Sequence, residues 1–517
     1  MPTRTPRPRL RAKPFAAASV TGMCLVLAAV GQPSSPDKQG PPKVAPEHQA
    51  KLVEAKRYAK EAEQLREAGK SGDAAAILKK KLNIERSLLG DRHDDVAMTL
   101  AALGSLHEEL GDYAAARKVR EEVLSIHLAL HGTEHWQVIS ARLGLEALTR
   151  LEKLSSDQRA EWLRAKTLDR EEHALFGRGR YRDAVANREK SWAIRKRLLG
   201  EDAPETIESL FDLAFLCQAA ADADRAELLY KQARAAHSRV VGTHHPDYVL
   251  STNGLAELYR STGRYAEAEP LYVECLTVCE RHLGDGHRYY PMTLNNLALL
   301  HKTLGRFDKA EPLYLRANDF FYRLEGEESF QYATSLNNLG EFYKAKGDYV
   351  QATKLLHESL RILKLVEAGE SPQQARVLNN MGYLYHLVGD DGQAEHYYND
   401  ALRIREGTIG TQHPEYAHTL YNLGLLYRDR QDSERAKTHL ERARTILSKF
   451  RKGENREHAS VLTCLASLHI RNGAYLEAIA MLEENAAITK RLVGDAHVEY
   501  GMSQGYLGEL YLHKKDY

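Results

Sequence analysis

The sequence predicts an all-α solenoid of antiparallel helix pairs, and three observations carry that prediction. First, residues 243–284 and 285–326 are gap-free 42-residue copies of one unit. They read THHPDYVLSTNGLAELYRSTGRYAEAEPLYVECLTVCERHLG and DGHRYYPMTLNNLALLHKTLGRFDKAEPLYLRANDFFYRLEG. Second, each copy holds two runs with apolar residues at i, i+3, i+4 and i+7, the helical period, separated by Gly263 or Gly305. Glycine there supplies the backbone freedom to turn one helix antiparallel to the next. Third, a small residue recurs at Ala214, Ala256, Ala298, Gly340, Gly382, Gly424, Ala466 and Gly508, always 42 residues apart. A bulky side chain there would hold neighbouring helices apart. One such helix pair cannot bury its apolar faces alone, so the units must stack.

In chain order, residues 1–31 differ in character from the rest of the chain. Arg4, Arg7, Arg9, Arg11 and Lys13 precede an apolar run from Phe15 to Val30, with Ala29-Val30-Gly31 as a small-x-small site. This reads as a secretory signal, or as an uncleaved membrane anchor, which places the protein outside the cytoplasm or on a membrane; a tail without a targeting role would leave it in the cytoplasm. Met23 before Cys24 argues against lipid attachment. Residues 32–45, rich in Pro, Ser and Lys, form a flexible spacer. Two repeats occupy 46–132, turning at Gly69 and Gly111. The frame then slips: from Gly104 to the matching Glu172 is 68 residues, one repeat plus 26. The extra stretch 133–155 reads as a first helix without a partner, expected to bend the array and set the first two repeats apart. Ser155 and Ser156 then cap a new helix, and the main array runs over 156–517. It breaks off inside the first helix of another unit, so a longer chain, or an end that stacks on another copy, is expected.

Composition narrows the partners. With 72 basic against 71 acidic residues, the net charge of +1 gives no reason to expect nucleic acid. Five cysteines make no disulfide framework; Cys217 and Cys275 occupy core positions, and Cys279, one turn from Cys275, has no companion at metal-ligand spacing. Two features disturb the regular frame. Pro270 and Pro312 lie past the first helical turn, which calls for a later helix start or a kink. Asn485 stands where other copies have small residues, which suggests looser packing.

The Leu-Ala/Gly pair, the Tyr four residues after that Leu, the turn Gly and the Ala-x3-Tyr of the second helix together resemble the tetratricopeptide repeat. The long form of kinesin light chains, in bacterial arrays, is the nearest kind, and the junctions VVGTHHPDY and TIGTQHPEY add to the likeness. It extends over about residues 45 to 517. The resemblance implies a right-handed superhelical α-solenoid whose first helices line a concave peptide-binding groove.

Two ladders stand on those first helices. One is asparagine, in a column at Asn253, Asn295, Asn337 and Asn379 and a second at Asn296, Asn338, Asn380 and Asn422. An amide both donates and accepts, so such columns suit the backbone of an extended peptide. The second column matches the asparagines that contact peptide in related arrays. The other ladder is Arg260, Lys302, Lys344, His386 and Arg428, seven residues after the first column and so on the same face, where cations favour acidic side chains. Glu257 and Glu341 dilute it.

A histidine recurs in the junctions at His93, His135, His245, His287, His413 and His497. Successive repeats lie about 8–10 Å apart, too far for these to share one ion, so a structural role and no metal site is expected of them. No phosphate-binding loop, nucleophile elbow or zinc-protease motif is found. The expected function is therefore a non-catalytic scaffold, without cofactor, that binds an acidic peptide segment of a protein partner. The alternative is the recruiting arm of a larger enzyme, for example a caspase-like protease, with its catalytic domain beyond Tyr517.

Overall fold

The computed structural model describes residues 46–514 apart from 178, 285, 368, 454, 494, 496 and 497. The expected signal or anchor, the spacer, Cys24 and His497 lie outside the described residues. Contacts divide the described residues into two compact units, one ending at Ala436 and the other beginning at Lys437.

The larger unit begins with α1 (Pro46–Glu67) paired to α2 (Ser71–Leu89), and α3 (Asp94–Glu109) paired to α4 (Tyr113–His131). A single helix, α5 (Trp136–Glu152), packs on α4. Pairs resume with α6 (Ser156–Gly177) and α7 (Tyr181–Leu199), then α8 (Pro204–Ala219) and α9 (Ala223–Val240). Next come α10 (Pro246–Ser261) with α11 (Tyr265–Val278), and α12 (Tyr289–Thr303) with α13 (Phe307–Glu325). The last pairs are α14 (Phe330–Lys346) with α15 (Tyr349–Val366) and α16 (Pro372–Val388) with α17 (Asp391–Thr408), followed by α18 (Pro414–Asp429). First helices also touch one another from α8 to α18. After α19 (Ser433–Lys449), which crosses the division, the smaller unit stacks α20 (Arg456–Arg471), α21 (Tyr475–Val493) and α22 (Val498–Lys514). The all-α solenoid expected from the sequence is the fold observed. Among the described residues no helix is long and apolar enough to cross a membrane.

The junction histidines cap first helices. Nδ1 of His93, His135, His245 and His413 accepts from the backbone N–H two residues on, at 3.1, 3.4, 3.2 and 3.2 Å. His287 accepts from Tyr289 N–H at 3.2 Å. Ser329, Ser371 and Asn455 do the same work elsewhere, so the ladder marks orphan helix N–H groups. Second helices begin on Asp112, Asp222, Asp348 and Asp390, whose carboxylates also cap. The turn between helices needs a left-handed residue. Gly263, Gly305 and Gly347 supply it, but Ala221 and Gln431 hold φ +64° at the same point and carry the strain of a Cβ there.

The small-residue series faces the second helix sixteen positions on. A Cβ at Gly382 would lie 2.6 Å from the fully buried Tyr398 ring, and one at Gly340 3.0 Å from Leu356. In the repeat after the slip the pair becomes ionic: Glu172, 2% exposed, takes the small-residue place and binds Arg188. Arg188 also reaches Asp169 at 3.0 Å and Asp212 at 3.3 Å.

Two local expectations change. The prolines do not delay their helices, since α11 starts at Tyr265 and α13 at Phe307. Instead the first turn tightens, with i+3 bonds of 3.2 Å from Glu267 N to Arg264 O and from Lys309 N to Arg306 O. Asn485 is not loosely packed: it is buried, and its Nδ2 donates to Ala459 O at 2.6 Å and Thr463 Oγ1 at 3.0 Å. Ser191, Cys275 and Ser359, at the same place in other repeats, also donate to the first-helix carbonyl 26 residues earlier. The lone α5 is tied forward onto later junctions, Ser140 Oγ lying 2.8 Å from His245 Nε2 and the Trp136 ring edge-on to His245 and His287. The four described cysteines are buried and outside any disulfide, and burial pushes the Cys217 thiol up to about 11 and the Cys279 thiol up to about 12.

Ala221→Gly should relieve the left-handed strain and raise stability by about 1 kcal/mol net of the added freedom of the unfolded chain, read as an increased urea midpoint. Burial pushes His245 down to about 4 and His287 down to about 3. Both stay neutral in the fold while the unfolded chain takes up protons near pH 6.5, so their share of stability falls as pH drops from about 6.5 toward 4. His287→Asn, which keeps a capping acceptor without the titration, should flatten that acid limb in pH-dependent thermal melts.

Candidate functional site

The two asparagine columns interlock between adjacent first helices. Asn380 Nδ2 donates to Asn337 Oδ1 at 3.0 Å, and Asn422 Nδ2 to Asn379 Oδ1 at 3.1 Å. The second-column amide of one repeat thus bonds the first-column amide of the repeat before. At the α10 end Asn253 Nδ2 reaches Thr293 Oγ1 at 2.8 Å and Val249 O at 3.3 Å. Asn253, Asn337, Asn379 and Asn422 are all buried. These four therefore lie between helices, where the sequence pattern put them on an open face. An amide buried in a helix stack must find a partner, and the matching amide one repeat away is the nearest.

The ladder is open at two rungs, and at one of them Asn253 Oδ1 is buried without a hydrogen-bond partner. At the other, Asn295 Oδ1 is likewise buried without one. Asn338, which the pattern would bring to it, instead accepts a long 3.5 Å contact from Asn337 Nδ2. Asn296, Asn338 and Asn380 stay half-buried and reachable from solvent.

The basic column is largely neutralised from within. Arg260, buried, forks onto Glu257 with Nε 2.8 Å from Oε2. Lys344 Nζ bonds Glu341 at 2.6 Å and sits 4.6 Å from the Tyr383 ring centre. Arg428 and His386 share Asp429, at 2.8 and 3.3 Å. Lys302 differs: among the described residues no acidic group lies within ion-pair distance of it. Burial pushes its ammonium down to about 8, Glu341 opposing, with Lys344 and Arg260 pushing further down. The open rung at Asn295 and the unneutralised lysine belong to the same helix, α12, seven residues apart and on one face.

The neighbouring α8 and α10 carry the opposite charge, which the sequence pattern did not reveal. Glu208 is open to solvent yet surrounded by protein, and desolvation with Asp212 and Asp247 beside it pushes its carboxyl up to about 7. Desolvation also raises Asp247. The i, i+4 spacing of Glu208 and Asp212 was the available signal. On α18, His418 faces Arg405, Glu415 and Lys344, and burial pushes it down to about 4.

The Tetratricopeptide repeat family model matches residues 54–129, 173–239, 247–321, 331–407 and 393–449, and a second model of that description matches 458–499. No curated protein matches the sequence. Among solved structures, BtubC (BKLC) from P. vanneervenii is 27% identical, covering 44% of this chain and 90% of its own, with a TM-score of 0.36. Nearly identical TPR-like repeats of a Podosopora anserina kinesin light chain are 22% identical over 40% of this chain and 98% of theirs, TM-score 0.34. The Rap protein complexed with competence and sporulation factor is 12% identical over 86% and 99%, TM-score 0.44.

Asn379→Leu should strand the buried Asn422 amide and lower stability by about 1–3 kcal/mol in urea titrations. The double variant Asn379→Leu with Asn422→Leu should cost less than the two single losses added, since no orphaned amide remains.

Proposed function

Because the chain belongs to the tetratricopeptide-repeat family, whose solenoids are protein-interaction scaffolds, we propose that its first-helix face around α12 and α14 binds an extended acidic segment of a protein partner. The observation that carries this reading is the open rung at Asn295, beside Lys302 on the same helix. Asn295 and Asn296 retain amide capacity of the kind that the Asn337–Asn380 and Asn379–Asn422 rungs satisfy internally, and Lys302 keeps an unneutralised charge beside them. Asn338 and Asn380, each with one end of its amide engaged, flank this spot and could take the peptide backbone. Lys302 would take a carboxylate through a charge-assisted bond. Lys344, Arg260 and Arg428 contribute less, because each already holds an internal acid. The acids on α8 and α10 repel a uniformly negative ligand, so the acidic part of the segment belongs over α12–α14. The basic and apolar character of residues 1–31 supports a protein that works after export or at a membrane.

Fluorescein-labelled peptides of one length, acidic, neutral and basic, test the reading by anisotropy. The acidic peptide should bind near micromolar affinity, about −8 kcal/mol, and weaken with added salt. Lys302→Glu with Asn338→Ala should weaken it about tenfold or more at unchanged helicity. Equal binding of the acidic and basic peptides, or an unaffected double variant, refutes it.

A further inference from the structure

We infer that Asp94, His127 and His131 form a binding site for a divalent transition cation of the zinc class, far in sequence from the asparagine ladder and independent of the peptide reading. His127 and His131 stand one turn apart on α4 and so present both imidazoles to one side. Asp94, the first residue of α3, meets them there. His131 Nε2 lies 2.7 Å and His127 Nδ1 3.3 Å from the same oxygen, Asp94 Oδ1. One ligand atom from each residue falls within 4.8 Å of the others. With bonds of about 2.0–2.1 Å, tetrahedral ligand atoms are about 3.3 Å apart, so the His127–Asp94 spacing already fits and the His131–Asp94 contact needs to open by about half an ångström. Two imidazoles and a carboxylate are a donor set that suits zinc, cobalt, nickel or iron rather than calcium or magnesium.

A second observation comes from the repeat itself. The position of His127 is polar in several other second helices, and there it bonds a hydroxyl fourteen residues on. Glu85 accepts from Thr99 Oγ1 at 2.6 Å, Arg195 donates to Ser209 Oγ at 2.7 Å, His237 Nδ1 meets Ser251 Oγ at 3.2 Å, and Arg405 donates to Thr419 Oγ1. Fourteen residues after His127 stands Ala141, which has no hydroxyl. His127 is 7% exposed, and its Nδ1 is buried with no hydrogen-bond partner, aimed at Asp94 Oδ1 without hydrogen-bond geometry. Leaving a buried ring nitrogen unpaired costs about 1–3 kcal/mol; a cation shared with His131 and Asp94 would remove that cost. Support from outside the triad is also in place. Gln137 Nε2, on the inserted helix α5, donates to Asp94 Oδ1 at 3.1 Å, and the His135 ring stacks on His131 at 4.5 Å. Both would hold the ligands in orientation.

The full chain, stripped with chelator and dialysed, is titrated with Co²⁺ and followed by visible absorption, with Zn²⁺ competition giving affinity. One cobalt per chain with imidazole–carboxylate bands, displaced by zinc, is expected. His131→Gln and Asp94→Asn should each weaken binding at least about 100-fold, while His282→Gln, which removes one ring of the exposed His244–His282 stack, should leave it unchanged. Should His131→Gln or Asp94→Asn lose helicity by circular dichroism, Ala141→Ser decides: it restores the hydroxyl that His127 lacks and should weaken binding about tenfold in a fully folded chain. No cobalt bound, or binding abolished by His282→Gln and untouched by Ala141→Ser, overturns the assignment.

Discussion

The contact on which this structure depends is the approach of a small first-helix residue to the side chain sixteen positions later on the second helix. At Gly382 and Tyr398 the helices come so close that even a methyl group would overlap the ring. Helix pairs of this size have no core of their own, so the register set by that contact decides which faces remain for the next repeat. Where the contact changes chemistry, as at Glu172 and Arg188, the stack survives because the charged pair is matched and further neutralised by Asp169 and Asp212.

Close stacking forces a second constraint, that polar groups caught between repeats must be satisfied by other repeats. The asparagine rungs, the hydroxyl fourteen residues beyond the second-helix polar group, and the histidine caps are three solutions to the same demand. Their regularity makes exceptions informative. Asn253 and Asn295 lack their rungs, Lys302 lacks its acid, and His127 lacks its hydroxyl. In a single globular domain none of these would be conspicuous. In a repeat each is measured against equivalent positions that did find partners.

This regularity also explains what could be read from the chain before folding. The 42-residue spacing, the turn glycines and the frame slip near residue 133 follow from local periodicity, and the helices fall where that periodicity puts them. The site was half legible. The columns were visible, and their membership of first helices was right. Their reading as two free rows was not, because a column records only what one repeat offers. Which amide faces its neighbour depends on the offset between helices, and that offset brings residues 43 apart into contact. In the basic ladder, Glu257 and Glu341 were legible as diluting acids and do pair with Arg260 and Lys344, while Asp429, which pairs with Arg428, was not.

The sequence by itself determined the all-α class, the repeat length, the antiparallel pairing and the family, since each rests on patterns within a few helical turns. Only the tertiary structure decided which polar side chains pair with each other and which are left over. Pairing depends on distances across helices of different repeats, a quantity that neither residue type nor spacing along one helix contains. The triad Asp94, His127 and His131 shows it most plainly: the two histidines share one turn of one helix, but their aspartate arrives from another helix, 33 residues before the first of them.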